Sequence, residues 1–211
     1  MQLAHTIGLL SEARAMNLGT YTFQPLGKSR ELAAGEYLFR QGNKASAIFE
    51  VERGRLRLIR NTIDSHPVVL HTARQGELFA EAALFAGTYH CDAIAVIASR
   101  VRIYPKRELL AAFRSDSAIG ERFMAVLAHQ IHALRARLEI RNIRSARERV
   151  LHHLALVACK DGRTVRLDGT LMDLAAEIGL THEALYRALA DLEKRGVIAR
   201  TRSAIVLRMA R

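Results

Sequence analysis

The apolar positions of this chain change period along its length. From Phe23 to about Arg107 they come in short runs, "EYLFRQG", "AIFEVERGRLRLIRN", "PVVLHTARQGELF" and "DAIAVIASRVRIYP", punctuated by Gly35, Gly42, Gly54 and Gly76. Within "GRLRLIRN" the period is two: Leu56 and Leu58 point one way, and Arg55, Arg57 and Ile59 the other, as side chains do on a pleated strand. Several short strands with regularly spaced turn signals predict a sandwich or a barrel.

The period then becomes helical. Over 117–141 there is no proline, and Phe123, Leu127, Ile131, Leu134 and Leu138 are spaced 4, 4, 3 and 4. That spacing draws one apolar stripe along a helix of about seven turns. Arg122, Arg135, Arg137 and Glu139 lie mostly off it. Such a seam calls for a partner helix, so these five residues are the candidate dimerisation contacts; packing on the chain's own domain is the alternative. A second amphipathic helix follows over 145–159, and "DGRTVRLDG" reads as a short strand flanked by turns.

Near the C-terminus the pattern carries turn and cap signals as well. Thr170 precedes an apolar run with Asp173 three residues on, a capping box with the shorter acid. Leu174, Ala175 and Ile178 form the inner face of one helix, and Gly179 ends it, where a positive φ costs glycine little. Thr181 can cap a second helix that Leu185, Leu189 and Leu192 bury. Two short helices joined at a glycine turn are a helix-turn-helix. After Gly196, "VIAR", "TRS" and "AIVLR" read as a two-stranded wing. In such a module the start of the second helix enters the major groove. Its exposed residues would be His182, Glu183, Tyr186 and Arg187. Arginine can fork onto guanine O6 and N7, and glutamate can accept from cytosine N4. Glu183 and Arg187, four apart, can also orient one another. Thr181, Arg200 and Arg202 are candidates for phosphate, which positions a protein without reading sequence.

Charge supports a polyanion partner. The formal net charge is +11, and each neutralised phosphate releases condensed counterions. Residues 142–211 are the most basic stretch, with thirteen basic against eight acidic side chains. No apolar run reaches the roughly 18 residues of a membrane span, and Met1–Leu10 lacks the basic start and long apolar stretch of a secretory signal. Cys91 and Cys159 are too few for a disulfide framework. A cytoplasmic location without a membrane partner is expected. A glycine-rich phosphate loop, HExxH and a nucleophile elbow are all missing from the sequence, and His152 and His153 are adjacent rather than four apart. No enzyme and no metal site is expected.

These segments, in this order, resemble the cyclic-AMP receptor / fumarate-nitrate regulator (CRP/FNR) family of bacterial transcription factors, over about 23–211. "EYLFRQGNKASAIFEVERGRLRL" is similar to the family's opening roll and "QGELFAEAALF" to the start of its phosphate-binding cassette. "IRSARERVLHHLA" is similar to its junction and "AAEIGLTHEALYRALADLEKRGVI" to its DNA-reading segment. The resemblance implies an α+β fold. An N-terminal segment, 1–22, would precede a cyclic-nucleotide-binding-like β-roll (jelly roll) over 23–115. A dimerisation helix, 116–141, and a winged helix-turn-helix, 142–211, would follow. It also implies a homodimer on a near-palindromic site in double-stranded DNA, with RNA polymerase as a candidate partner. Glu183 and Arg187 match the family's base-reading pair; His182 stands where arginine is common.

The sensor departs from the family. Glu81 matches the ribose-binding glutamate, but Cys91 and Asp92 stand where an Arg-Ser pair would hold the cyclic phosphate, and Ala80 replaces a glycine. A carboxylate there repels phosphate, and no arginine replaces the missing fork. Ile131 and His132 stand in place of the polar pair that would read adenine. Cyclic AMP is therefore not expected, and Glu81 is expected to serve the cassette backbone. No iron–sulfur cluster is expected without cysteines before Cys91. Haem is the alternative cofactor, with His71, His90, Cys91 and His132 as candidate ligands. The candidate effector pocket comprises Glu81, His90, Cys91, Asp92, Ile131 and His132. The rival reading is a small-molecule or haem sensor that acts through protein partners without specific DNA binding.

Overall fold

A computed structural model describes residues 26–61, 67–159, 161–167, 169–201 and 203–208. The expected N-terminal segment and Arg202 lie outside the described residues. The chain divides into two compact units, with the boundary between Val126 and Leu127.

The first unit is a β-roll. Its strands are β1 (Lys28–Leu32), β2 (Tyr37–Phe39), β3 (Ala47–Arg53), β4 (Arg55–Asn61), β5 (Pro67–Arg74), β6 (Leu78–Phe79), β7 (Asp92–Ala95) and β8 (Ser99–Pro105). They pair antiparallel in two sheets, ordered β1-β8-β3-β6 and β2-β7-β4-β5. Ile48, Val51, Leu56, Phe79, Val101 and Tyr104 are all buried. Phe39 stacks on Tyr89 at 3.9 Å and on Phe49 at 5.4 Å, and Phe49 stacks on Phe79 at 5.5 Å. Gly54 makes the β3–β4 turn at φ +91°, pressed against Ser99, so a β-carbon fits neither its backbone nor its surroundings. The pairing of β4 with β7 runs unbroken from Leu56 to Ile59, as a period of two requires. The pairing with β5 shifts register between Leu58 and Ile59, where Leu70 is the extra residue of a bulge on β5.

Helix α1 (Lys106–Ser115) closes the roll with Leu109 and Ala112 buried; the sequence expectations place no helix there, although Leu109, Ala112 and Phe113 have helical spacing. It leads into α2 (Ser117–Asn142), the long helix the apolar stripe predicts. The stripe does not act as one surface. Phe123 is buried, its ring 5.0 Å from that of Phe113 on α1. Phe123 is thus a contact within its own unit rather than part of a free seam, because α1 brings an aromatic ring against it. The large exposed apolar side chains on α2 are Met124 (61%), Ile131 (49%), Leu134 (53%) and Leu138 (61%). With half-buried Leu127 they are spaced 3, 4, 3 and 4, the heptad seam of a coiled coil.

The second unit continues α2 into α3 (Ala146–Val157), β9 (Thr164–Arg166), α4 (Leu171–Ile178), α5 (His182–Lys194), β10 (Ile198–Arg200) and β11 (Ala204–Leu207). The three strands pair in the order β10-β11-β9. One apolar core joins them: Val150 and Leu154 from α3, Leu174 and Ile178 from α4, Leu185, Leu189 and Leu192 from α5, and Val165, Ile198 and Ile205 from the sheet.

Candidate nucleic-acid interface and sensor site

Local chemistry sets the two helices of the reading head. The Thr170 hydroxyl accepts from the Asp173 N–H at 3.2 Å, and the Asp173 carboxylate accepts from the Thr170 N–H at 3.0 Å, completing the capping box. Gly179 ends α4 at φ +67°, a left-handed stop. The Thr181 hydroxyl then caps α5 by accepting from the Ala184 N–H at 3.2 Å. The junction after α2 secures this turn. Arg149 donates through Nε to the Ile143 carbonyl at 3.0 Å and through Nη1 to the Gly179 carbonyl at 2.9 Å. Arg141 donates to the Glu177 carbonyl at 3.3 Å. Cations there satisfy the orphan carbonyls of a helix end.

Helix α5 is two-sided. Leu185, Ala188, Leu189 and Leu192 are buried, whereas Thr181, His182, Glu183, Tyr186, Arg187 and Ala190 are exposed. At about 100° per residue Glu183, Arg187 and Ala190 occupy the middle of the exposed face, and His182 and Tyr186 flank it. The rings of His182 and Tyr186 lie 4.4 Å apart at 59°. Glu183 and Arg187 make no ion pair among the described residues. The mutual orientation their spacing suggested is therefore not formed, since both side chains extend into solvent. Behind this face Asp191 is paired with Arg195 at 2.9 Å and with Arg147 of α3 at 3.3 Å. The two guanidiniums, Arg195 first, hold its carboxyl below the usual range.

The wing forms where expected, with β10 and β11 paired antiparallel from Ile198–Leu207 to Arg200–Ile205. Arg200 is not the free cation its position suggested. Its Nε donates to the Glu193 carboxylate at 2.8 Å and its backbone N–H to the same carboxylate at 3.2 Å. The Arg200 side chain accordingly lowers the Glu193 pKa. Much of the Arg200 charge is thus spent fastening the wing to α5. Nothing in the local pattern announces this pair, because the partners are seven residues apart across the turn at Gly196.

In the sensor, Ala80 adopts a left-handed backbone. At φ +63° it is the one non-glycine residue with positive φ among the described residues. Glu81 opens a short 3-10 turn, Glu81–Leu84. The Asp92 carboxylate accepts from the Gln41 N–H at 2.7 Å, stapling the β2 loop to β7. His90 is exposed and Cys91 buried, so these consecutive side chains face opposite ways; burial raises the Cys91 thiol pKa. An arginine comes alongside this stretch from a distant strand. Arg60 of β4 donates through Nε to the His90 carbonyl at 3.0 Å, and its charge opposes the effect of burial on Cys91. Its strand neighbour Ile59 pairs with Asp92. Thirty residues separate Arg60 from His90, so only strand register reveals the contact. His71 is taken up by Glu77 at 2.9 Å. Ile131 and His132 stand exposed on α2 beyond Leu127, in the second unit. Among the described residues, no cluster of His, Cys, Asp and Glu could hold a metal ion, and no helix is long and apolar enough to cross a membrane.

Known proteins carry the same two parts in the same order. A cyclic nucleotide-binding domain model matches residues 29–116, and a Crp-like helix-turn-helix domain model matches residues 148–211. The structure of FixK2 from Bradyrhizobium japonicum shares the fold. It has a TM-score of 0.72 at 22% identity and covers 87% of this chain and 93% of that one. The anaerobic regulatory protein of Bacillus subtilis is 22% identical over 83% of this chain and 77% of its own. The cyclic AMP receptor protein of Thermus thermophilus is 31% identical over 78% of this chain and 76% of its own. Likeness at that level, with family models matching both the roll and the reading head, places the chain in the CRP/FNR family of transcription regulators, whose Crp-like helix-turn-helix is a DNA-binding module.

Proposed function

We propose that this protein is a homodimeric, sequence-specific DNA-binding regulator of the cytoplasm, whose effector is not cyclic AMP. The observation that carries the reading is the α5 surface. A capped, well-anchored helix turns Thr181, His182, Glu183, Tyr186 and Arg187 to solvent, with its Glu and Arg uncommitted to each other. Arg187 reads guanine and Glu183 cytosine. Thr181 and the start of α5 meet phosphate. The heptad seam of Met124, Leu127, Ile131, Leu134 and Leu138 joins two chains. A two-fold dimer reads two half-sites about 34 Å apart, or a multiple of it, in a near-palindrome. RNA polymerase is the further protein partner.

The sensor chemistry supports a different effector. By the resemblance Asp92 stands in place of the Arg-Ser pair that would hold a cyclic phosphate, and its carboxylate is already engaged with Gln41. Arg60, the nearby cation, is committed through Nε to His90 and supplies no Arg-Ser fork. Haem gains little support, since His90 and Cys91 face opposite ways and His71 is paired with Glu77.

Selection of random duplexes with the purified protein tests the reading: an enriched near-palindrome is expected, and its absence overturns the proposal. Cyclic AMP is expected to leave the melting temperature unchanged. Saturable binding by calorimetry would refute the effector reading alone.

A further inference from the structure

The reading face of α5 presents two chemistries. Its centre is ionic, with Glu183 and Arg187; its flank is aromatic, with His182 and Tyr186 four residues apart and their rings 4.4 Å from one another. A tyrosine left 43% exposed on a surface otherwise built for polar contacts leaves apolar ring area facing solvent. The neighbouring imidazole restricts the ring, so little side-chain freedom remains to be lost on binding. Neither residue belongs to the core that holds α5, which is made by Leu185, Ala188, Leu189 and Leu192. Exposed Ala190 extends the apolar character one turn further along the face.

In the major groove the apolar feature that varies with sequence is the thymine 5-methyl group. We infer that His182 and Tyr186 act as one aromatic ledge that selects thymine by its methyl group, beside the guanine and cytosine read by Arg187 and Glu183. The inference rests on the DNA-reading role of α5 proposed above and names a base and a chemical group that the ionic pair cannot recognise. Tyr186 supplies the contact, and His182 is the positioning residue that holds its ring.

The test uses the full-length protein and the duplex enriched by selection. Each thymidine of the half-site is replaced in turn by deoxyuridine, which removes the methyl group and nothing else. At one position per half-site, affinity is expected to fall about four-fold, the worth of burying one methyl-sized group. The Tyr186→Ala protein should bind the thymidine and deoxyuridine duplexes equally, Tyr186→Phe should keep the preference, and His182→Ala should reduce it. Tyr186 is outside the core, so unchanged melting temperatures are expected for all three. Equal binding of both duplexes by the unsubstituted protein, with guanine still selected through Arg187, overturns the ledge and spares the DNA-reading role. That result is also the one expected if the rings rest on phosphate. Loss of all sequence preference overturns both.

Discussion

Leu134→Glu is the sharpest perturbation of the proposed dimer. In the single chain Leu134 is 53% exposed, so its substitution leaves the core of either unit intact. Full burial of a leucine contributes about 1.5–3 kcal/mol; covering the exposed half in a seam contributes roughly 1 kcal/mol per chain, and two-fold symmetry doubles it. Glutamate forfeits that gain and brings two carboxylates towards each other in a desolvated contact, which costs at least another ~2 kcal/mol. The sum, about 4 kcal/mol, weakens the dimer by roughly a thousand-fold. Sedimentation equilibrium across a concentration series should show a dimer for the unsubstituted protein and a monomer for Leu134→Glu, with equal helix content by circular dichroism. A variant that still sediments as a dimer, with the same dissociation constant, would refute the seam and move the interface to another surface.

Other expectations concern the reading head and the sensor. Arg187→Ala should lose about 1–3 kcal/mol of discrimination at one guanine, measured with matched and mismatched duplexes; an unchanged preference would count against its assigned base contact. Ala80→Gly should stabilise the protein. It removes the roughly 1–2 kcal/mol cost of a left-handed alanine and returns about 0.4–1 kcal/mol in unfolded-chain freedom, a net gain of about 0.5–1 kcal/mol visible in the urea midpoint. Asp161 accepts from the Thr164 and Arg163 N–H groups at 2.8 and 2.9 Å, and hydrogen bonding, that from Thr164 foremost, lowers its pKa to about 2. A depressed carboxyl pKa contributes stability that is present above the unfolded value, about pH 4, and is lost as the pH falls towards 2. Asp161→Asn should therefore flatten that part of the pH–stability curve and leave the acid side of the remaining titrations in place.

Features written within a few residues of one another are legible in the sequence alone. The Thr170–Asp173 capping box, the Gly179 stop and the Thr181 cap depend on backbone geometry over three or four positions, and each forms as the sequence predicts. The split of α5 into a buried leucine row and an exposed polar row follows from helical period. The contacts that local pattern does not announce join distant positions: Arg60 to His90, Arg200 to Glu193, and Arg149 to Gly179.

The α2 stripe shows where the two kinds of information part. Period and spacing predict a long helix with an apolar face, because backbone hydrogen bonds and side-chain direction repeat locally. They cannot say that Phe123 turns to Phe113 and leaves Met124 at the head of the exposed seam. That choice depends on α1, a short helix outside the stripe, which brings the Phe113 ring against the start of α2. The chain by itself determined the order of elements apart from α1, the caps of α4 and α5, and the residues α5 offers to a groove. Tertiary structure decided which charges stay uncommitted and which apolar side chains remain uncovered, since both depend on what strand register and packing bring together from far along the sequence.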